Sequence, residues 1–119
     1  MLSLPSTVKI FVYTGVADMR KGVDGLSGIV RSEFDADPAD GSLFVFINRR
    51  RDRMKILHFA DGGYWLYYRV LEQGTFEALR RESSASHLAM DATELSMLLS
   101  GVSLVGAARR RKRFSRPAA

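Results

Sequence analysis

Two clusters of basic side chains are the most distinctive chemical feature of this sequence. The first lies in the middle of the chain and consists of Arg49, Arg50, Arg51, Arg53 and Lys55. The second lies near the C-terminus and consists of Arg109, Arg110, Arg111, Lys112, Arg113 and Arg116. Guanidinium and ammonium groups bind phosphate, and a guanidinium group can also bind guanine in a bidentate way. Both clusters therefore point to an acidic partner such as nucleic acid.

The second cluster determines the net charge. The chain has 18 Lys and Arg against 13 Asp and Glu, a formal charge of +5. The six C-terminal cations leave 12 for residues 1–108, which therefore carry about −1. A flexible basic arm neutralises phosphates and releases counterions, which favours DNA binding by the arm. The alternatives are a solvated terminus and, for residues 49–53, a solvated turn that protects a sheet edge.

Patterns typical of catalysis or of metal binding are missing. Two-metal chemistry on DNA needs several converging carboxylates, whereas Asp35, Asp37 and Asp40 fall in a single loop of small and acidic residues. His58 and His87 lack the spacing of metal ligands, and the sequence has no cysteine, phosphate-binding loop or Ser-His-Asp set. We therefore predict a protein that is not an enzyme and that uses neither a cofactor nor a metal ion.

Membrane insertion and secretion are not predicted either. The longest unbroken apolar run is Leu43–Ile47, far shorter than the roughly 20 residues that cross a bilayer. Residues 1–5 lack the basic and long apolar segments of a secretory signal. The sequence therefore predicts a cytoplasmic protein without a membrane partner.

Periodicity predicts four strands and two helices. Strand-like runs cover residues 8–13, 42–48, 53–59 and 64–71, and short polar turns join the last three into an antiparallel meander. After the first strand, an apolar stripe at helical spacing ends at Phe34, with Asp18 as the predicted N-cap. Three glycines at spacings of three in this stretch predict a close approach to the sheet.

The end of the domain contains the second helix. Asp91 and Glu94 form a capping box, and Gly101 ends the apolar stripe that follows. Residues 75–86 have no clear period and favour either a short strand or a helical turn. Residues 106–119 are predicted to form a basic, disordered tail.

These elements predict an α+β domain over residues 1–105, with an antiparallel sheet of about four or five strands. One helix follows the first strand, and a short helix closes the domain. Arg20 and Lys21 fall in the first turn of the first predicted helix, where cations are disfavoured unless an anion is close. They predict a phosphate site, with a solvated pair balanced by Asp24 as the alternative.

Three blocks of the sequence stand out together. They are residues 16–26 (VADMRKGVDGL), 41–57 (GSLFVFINRRRDRMKIL) and 66–76 (LYYRVLEQGTF). In order and spacing they resemble the TnpB accessory proteins of bacterial insertion sequence 66 elements, over residues 6–103 of this chain. That family is distinct from the RNA-guided nucleases of the same name.

The resemblance implies a transposable element in which a separate, larger protein carries the transposase chemistry and this small protein is a non-catalytic accessory. The implied partners are the DNA of the element ends, the transposase and the other accessory protein of the element. The chain departs from the family at Arg51, where glycine is frequent, at His58–Phe59, where tryptophan is common, and at Glu77–Ala78, where a Trp-Pro pair is usual.

We expect the protein to assist DNA transposition by binding DNA, the transposase or both. The residues expected to contact DNA are Arg20, Lys21, Arg49, Arg50, Arg51, Arg53, Lys55, Arg109, Arg110, Arg111, Lys112 and Arg113. The alternative is an adaptor without direct DNA contact, which binds the transposase through the aromatic side chains Trp65, Tyr67 and Tyr68.

Overall fold

The computed structural model describes residues 7–79 and 86–101, which form five strands and two helices. In chain order these are β1 (Ile10–Tyr13), α1 (Val23–Glu33), β2 (Leu43–Ile47), β3 (Arg53–Ala60), β4 (Gly63–Val70), β5 (His87–Met90) and α2 (Ala92–Ser100). The α+β class, the helix after the first strand and the closing helix are thereby confirmed. The predicted tail over residues 106–119 lies outside the described residues.

The strands form one sheet in the order β4-β3-β2-β1-β5. The meander is confirmed, since β2 pairs antiparallel with β3, and β3 with β4. β1, however, pairs parallel with β2, with Ile10 opposite Leu43. The sheet is therefore mixed and mostly antiparallel, because the crossover through α1 returns the chain to the same end of the sheet.

The fifth strand lies just beyond the segment that showed no period. β5 pairs antiparallel with β1, placing Met90 opposite Ile10 and His87 opposite Tyr13. Four residues are too few to show a reliable alternation, which is why the sequence did not locate this edge strand.

Each face of the sheet is covered by one helix. On one face α2 contributes Leu95 and Leu98 to a core with Val45 and Ile56. On the other face the side chains of α1 pack on Phe44, Phe46 and Leu57; they are Leu26, Val30 and Phe34. All five side chains of β2 are consequently buried, as expected of a strand that is covered on both faces.

The first helix begins later than predicted. α1 starts at Val23 with Gly22 as the N-cap and no side-chain cap, so the prediction that Asp18 caps this helix is wrong. Arg20 and Lys21 consequently lie in a loop and not in the first helical turn. Met19 packs against the same core cluster as α1, which extended the apolar pattern into a segment that is not helical.

The glycines do not serve a close approach of α1 to the sheet. A Cβ atom on Gly22 or Gly28 would meet no atom within 4 Å, and one on Gly25 would meet only the side chain of Lys21. That prediction was wrong because these positions do not face the sheet.

The capping of α2 is confirmed in detail. Asp91 Oδ1 accepts from the backbone N–H of Glu94 at 2.8 Å, and Glu94 Oε1 accepts from the N–H of Asp91 at 2.9 Å. Gly101 ends the helix in the left-handed conformation, with φ of 87°. The ends of this helix therefore follow from local sequence alone.

Candidate nucleic-acid interface

The turn between β2 and β3 holds the central basic cluster in a fixed shape. Asn48 Oδ1 accepts from the backbone N–H groups of Asp52 and Arg53 at 3.1 and 3.0 Å, and Asn48 Nδ2 donates to Asp52 Oδ1 at 2.8 Å. Arg49 and Arg50 lie at the tip and are exposed. Asn48 was not among the predicted site residues, although asparagine is a common turn residue.

Arg51 connects this turn to the segment after β4. Its carbonyl oxygen accepts from the N–H of Phe76 at 2.7 Å, and its Nε donates to the Phe76 carbonyl at 3.3 Å. Phe76 is buried in the core that α2 covers. The φ of Arg51 is 58°, in the left-handed region, where glycine is the residue with the least strain.

The loop that carries Arg20 and Lys21 lies at the same end of the sheet as this turn. Because β1 and β2 are parallel, the segments that follow them leave the sheet at one end. The N–H of Ala17, in the first of these segments, donates to the carbonyl of Ile47 at 3.0 Å. The tertiary structure therefore brings together two basic segments that are about 30 residues apart in sequence.

Lys55 fastens the loop to the sheet. Its side chain is almost fully buried, and its ammonium group donates to the carbonyl oxygens of Met19 and Lys21 at 2.8 and 2.9 Å. The prediction that Lys55 contacts DNA is therefore corrected to a structural role, because its ammonium group is already used inside the protein.

Tyr68 lies beside these cations on the same face of the sheet. Arg53 Nη1 donates to the Tyr68 hydroxyl at 3.0 Å, and the Lys55 ammonium lies 5.0 Å from the centre of the Tyr68 ring. The hydrogen bond to Tyr68 raises the pKa of Arg53 above its usual value. Tyr68 nevertheless keeps 49% of its surface exposed.

The three predicted aromatic contacts do not form one surface. Trp65 and Tyr67 stack on each other with ring centres 6.2 Å apart, and Tyr67 packs against the core under α2. Tyr68 projects from the opposite face, because alternate residues of a strand point to opposite faces. Trp65 is 56% exposed, so the exposed aromatic surface is divided between the two faces.

Two carboxylates lie within the basic region. Asp18 forms an ion pair with Arg20 at 2.8 Å, and hydrogen bonds from the side chain and backbone of Arg20 lower the pKa of Asp18 to about 2. The side-chain amide of Asn48 lowers the pKa of Asp52. Both carboxylates therefore stay ionised near neutral pH, and Arg20 is partly neutralised by Asp18. Lys21, Arg49 and Arg50 are exposed and form no ion pair within the described part of the chain.

Other predictions concern the C-terminal cations, metal binding, membrane insertion and the histidines. The C-terminal cations from Arg109 onward lie outside the described residues. Within residues 7–79 and 86–101, no three His, Cys, Asp or Glu side chains are grouped so as to hold a metal ion. No helix in these ranges has the length and apolar character needed to cross a membrane. The imidazole of His87 stacks on Phe34 with ring centres 4.8 Å apart.

The fold and the site define a small α+β domain with exposed cations at one end of its sheet. Residues 8–109 match the family described as IS66 Orf2 like protein. The chain is 34% identical over 95 residues to the uncharacterized protein y4jC of Sinorhizobium fredii, which covers 80% of each chain. It is 33% identical over 102 residues to protein y4hO of the same organism, covering 86% of this chain and 87% of that one. No solved structure matches the chain.

The chain therefore belongs to the IS66 Orf2-like family, and the resemblance seen in the sequence is confirmed. Membership of this family makes it an accessory protein of an insertion sequence, which acts in transposition.

Proposed function

We propose that the protein assists transposition without catalysis, by binding the DNA of its element in the cytoplasm through the basic end of the sheet. One observation carries this proposal: two basic segments distant in sequence meet at one end of the sheet, where Lys55 fastens one to the other. The contacting cations are those of the turn, Arg49, Arg50, Arg51 and Arg53, together with Arg20 and Lys21.

The geometry of the turn suits DNA recognition. A β-hairpin fits the major groove of B-form DNA, which is about 12 Å wide. Arg49 and Arg50 project from a turn that three hydrogen bonds of Asn48 hold in place. Side chains that project from a fixed backbone lose less entropy on binding than those on a mobile chain, so the turn is expected to discriminate between sequences as well as to bind phosphate.

Binding of the transposase is a second part of the proposal. Trp65 is exposed on the face opposite Tyr68 and stacks on Tyr67, and exposed aromatic side chains are common anchors of protein interfaces. Because the two surfaces lie on opposite faces, the transposase and DNA can bind at the same time. The other accessory protein of the element is a further candidate for this face.

The decisive experiment is a titration of the full chain against element-end duplex and scrambled duplex over a range of salt. The double variant Arg49→Ala/Arg50→Ala is expected to lose at least tenfold in affinity for the element end, and to flatten the salt slope of log affinity by about two, at roughly 0.9 per phosphate contact. The matched control is Lys9→Ala/Arg31→Ala, which removes the same charge from exposed positions before β1 and in the last turn of α1. Those positions lie toward the other end of the sheet.

Three outcomes would contradict the proposal. Equal losses in the variant and its control would mean that only net charge matters. Transposase binding without any salt-dependent affinity for DNA would favour the adaptor alternative. Cleavage of DNA by the purified protein with Mg²⁺ or Mn²⁺, abolished by an Asp substitution, would contradict the non-catalytic role.

A further inference from the structure

Tyr68 has a surface position that its contacts fix on two sides. Its hydroxyl accepts from Arg53 at 3.0 Å, and the ammonium of Lys55 lies over its ring. Lys55 is itself fixed by two backbone carbonyls of the loop that carries Arg20 and Lys21. The ring is therefore held in one orientation while about half of the residue remains exposed.

The surroundings of the ring are apolar on one side and cationic on the other. Val70 lies two residues along the same face of β4 and is 42% exposed, and Arg53 lies opposite Val70 in the neighbouring strand. Lys21 is exposed on the adjoining loop. An oriented aromatic ring between cations is the arrangement by which proteins bind single-stranded nucleic acid, since bases stack on the ring and cations bind the backbone.

We propose that Tyr68 is the stacking platform for an unpaired base, and that this face of the interface binds single-stranded DNA, as exposed at a melted or cut element end, beside the duplex that the turn binds. This inference rests on the proposed DNA-binding function and states which form of DNA this face binds. In an intact duplex both faces of each base are covered by its neighbours, so a side chain on the sheet cannot stack on them without disrupting the duplex. A strand with splayed bases can place one base on Tyr68 and its adjoining phosphates near Arg53 and Lys21.

The test compares Tyr68→Ala, Tyr68→Leu and Tyr68→Phe in the full chain. Each is titrated by fluorescence anisotropy against a single-stranded oligonucleotide and against the duplex of the same sequence. Removing the ring is expected to weaken single-strand binding by about fivefold to a hundredfold, the range that one base–aromatic stack supplies. Duplex binding should change by less than about twofold. Tyr68→Phe keeps the ring and should retain most of the single-strand affinity.

The matched control is Phe59→Ala, which removes a partly exposed aromatic side chain at the other end of β3, opposite Tyr64. It should leave both affinities unchanged. An oligonucleotide carrying 5-iodouracil should cross-link to Tyr68 on irradiation, and mass spectrometry of the peptide locates the site. The leucine variant keeps an apolar side chain, so a single-strand loss in both non-aromatic variants with unchanged duplex binding reports the ring and not a folding defect.

The titrations distinguish failure of the stacking role of Tyr68 from failure of the proposed DNA binding. Equal weakening of single-strand and duplex binding by Tyr68→Ala would overturn the stacking role while DNA binding stands. Absence of DNA binding by the intact protein would overturn both. Clearly tighter binding of an RNA oligonucleotide of the same sequence would overturn the assignment to DNA.

Discussion

The ammonium group of Lys55 donates a hydrogen bond to the carbonyl oxygen of Lys21 at 2.9 Å. Two lysines that were both predicted to bind DNA are thus joined, one through its side chain and the other through its backbone. The contact holds the loop before α1 against the face of β3 and leaves the Lys21 side chain exposed. The two lysines therefore have different roles, and substitutions should separate them.

Replacing Lys55 with methionine should destabilise the protein. The change keeps an apolar chain of similar length but removes both hydrogen bonds to the carbonyls of Met19 and Lys21. Hydrogen bonds to charged groups contribute about 1.5–3 kcal/mol each. Because the two bonds of Lys55 share one ammonium group, we expect the free energy of unfolding to fall by about 2–4 kcal/mol. Urea denaturation measures it. Lys9→Met, at an exposed position, is the control and should change stability by less than about 0.5 kcal/mol.

The left-handed backbone conformation of Arg51 predicts that a glycine variant is more stable than an alanine variant at this position. With φ of 58°, a side chain costs about 1 kcal/mol that glycine does not. Arg51→Gly and Arg51→Ala both lose the bond to the Phe76 carbonyl, but only the alanine variant keeps the strain. The glycine variant should therefore be the more stable by about 1 kcal/mol in thermal unfolding.

The neighbouring turn residue provides the control for that comparison. Arg50 does not have a positive φ, so Arg50→Gly should be less stable than Arg50→Ala, because glycine loses more backbone entropy on folding. The same order at both positions would show that the left-handed conformation of Arg51 has no energetic effect.

A buried hydroxyl in α1 predicts a stabilising substitution. Ser27 is 4% exposed, and its hydroxyl has no hydrogen-bond partner among the residues that the structure describes. Ser27→Ala removes an unsatisfied polar group and adds a better helix former, which should raise stability by about 1 kcal/mol. Ser32→Ala, at an exposed position of the same helix, gains only the helix propensity of about 0.5 kcal/mol. Equal effects would place the Ser27 hydroxyl in contact with water.

The ion pair of Asp18 predicts an acid-sensitive contribution to stability. Hydrogen bonds from Arg20 lower the pKa of Asp18 from 3.8 to about 2 in the folded protein. Because the pKa is depressed on folding, the stabilisation is complete above pH 3.8 and is lost as the pH falls toward 2. Titration of the Asp18 carboxyl carbon by NMR should give a midpoint of about 2. Asp18→Asn should lack this part of the acid dependence, and a midpoint near 3.8 would contradict the pairing.

The C-terminal cations predict a contribution to DNA affinity without sequence preference. Truncation after Ala108 removes all six of them. Binding to element ends and to random DNA should weaken alike, and the salt slope should flatten by as much as about five if every cation contacts a phosphate. A truncated protein that loses affinity only for element ends would contradict this division of roles between tail and turn.

The sequence alone was sufficient where the determining interactions are local. The capping box of Asp91 and Glu94 and the glycine at 101 define α2, because each interaction spans only a few residues. The Asp61-Gly62 turn between β3 and β4 has positive φ at both residues, a conformation that this residue pair favours. The strand predicted over residues 42–48 is confirmed as β2, because its run of β-forming residues is also a local signal.

Only the tertiary structure decided how distant segments meet. The parallel pairing of β1 with β2 brings Ala17 to Ile47, and the fold then buries Lys55 against backbone carbonyls 34 and 36 residues away. The same fold places β5 at an edge. A lysine in a basic run has the same local sequence whether it reaches solvent or a carbonyl oxygen, because burial is determined by what packs against it.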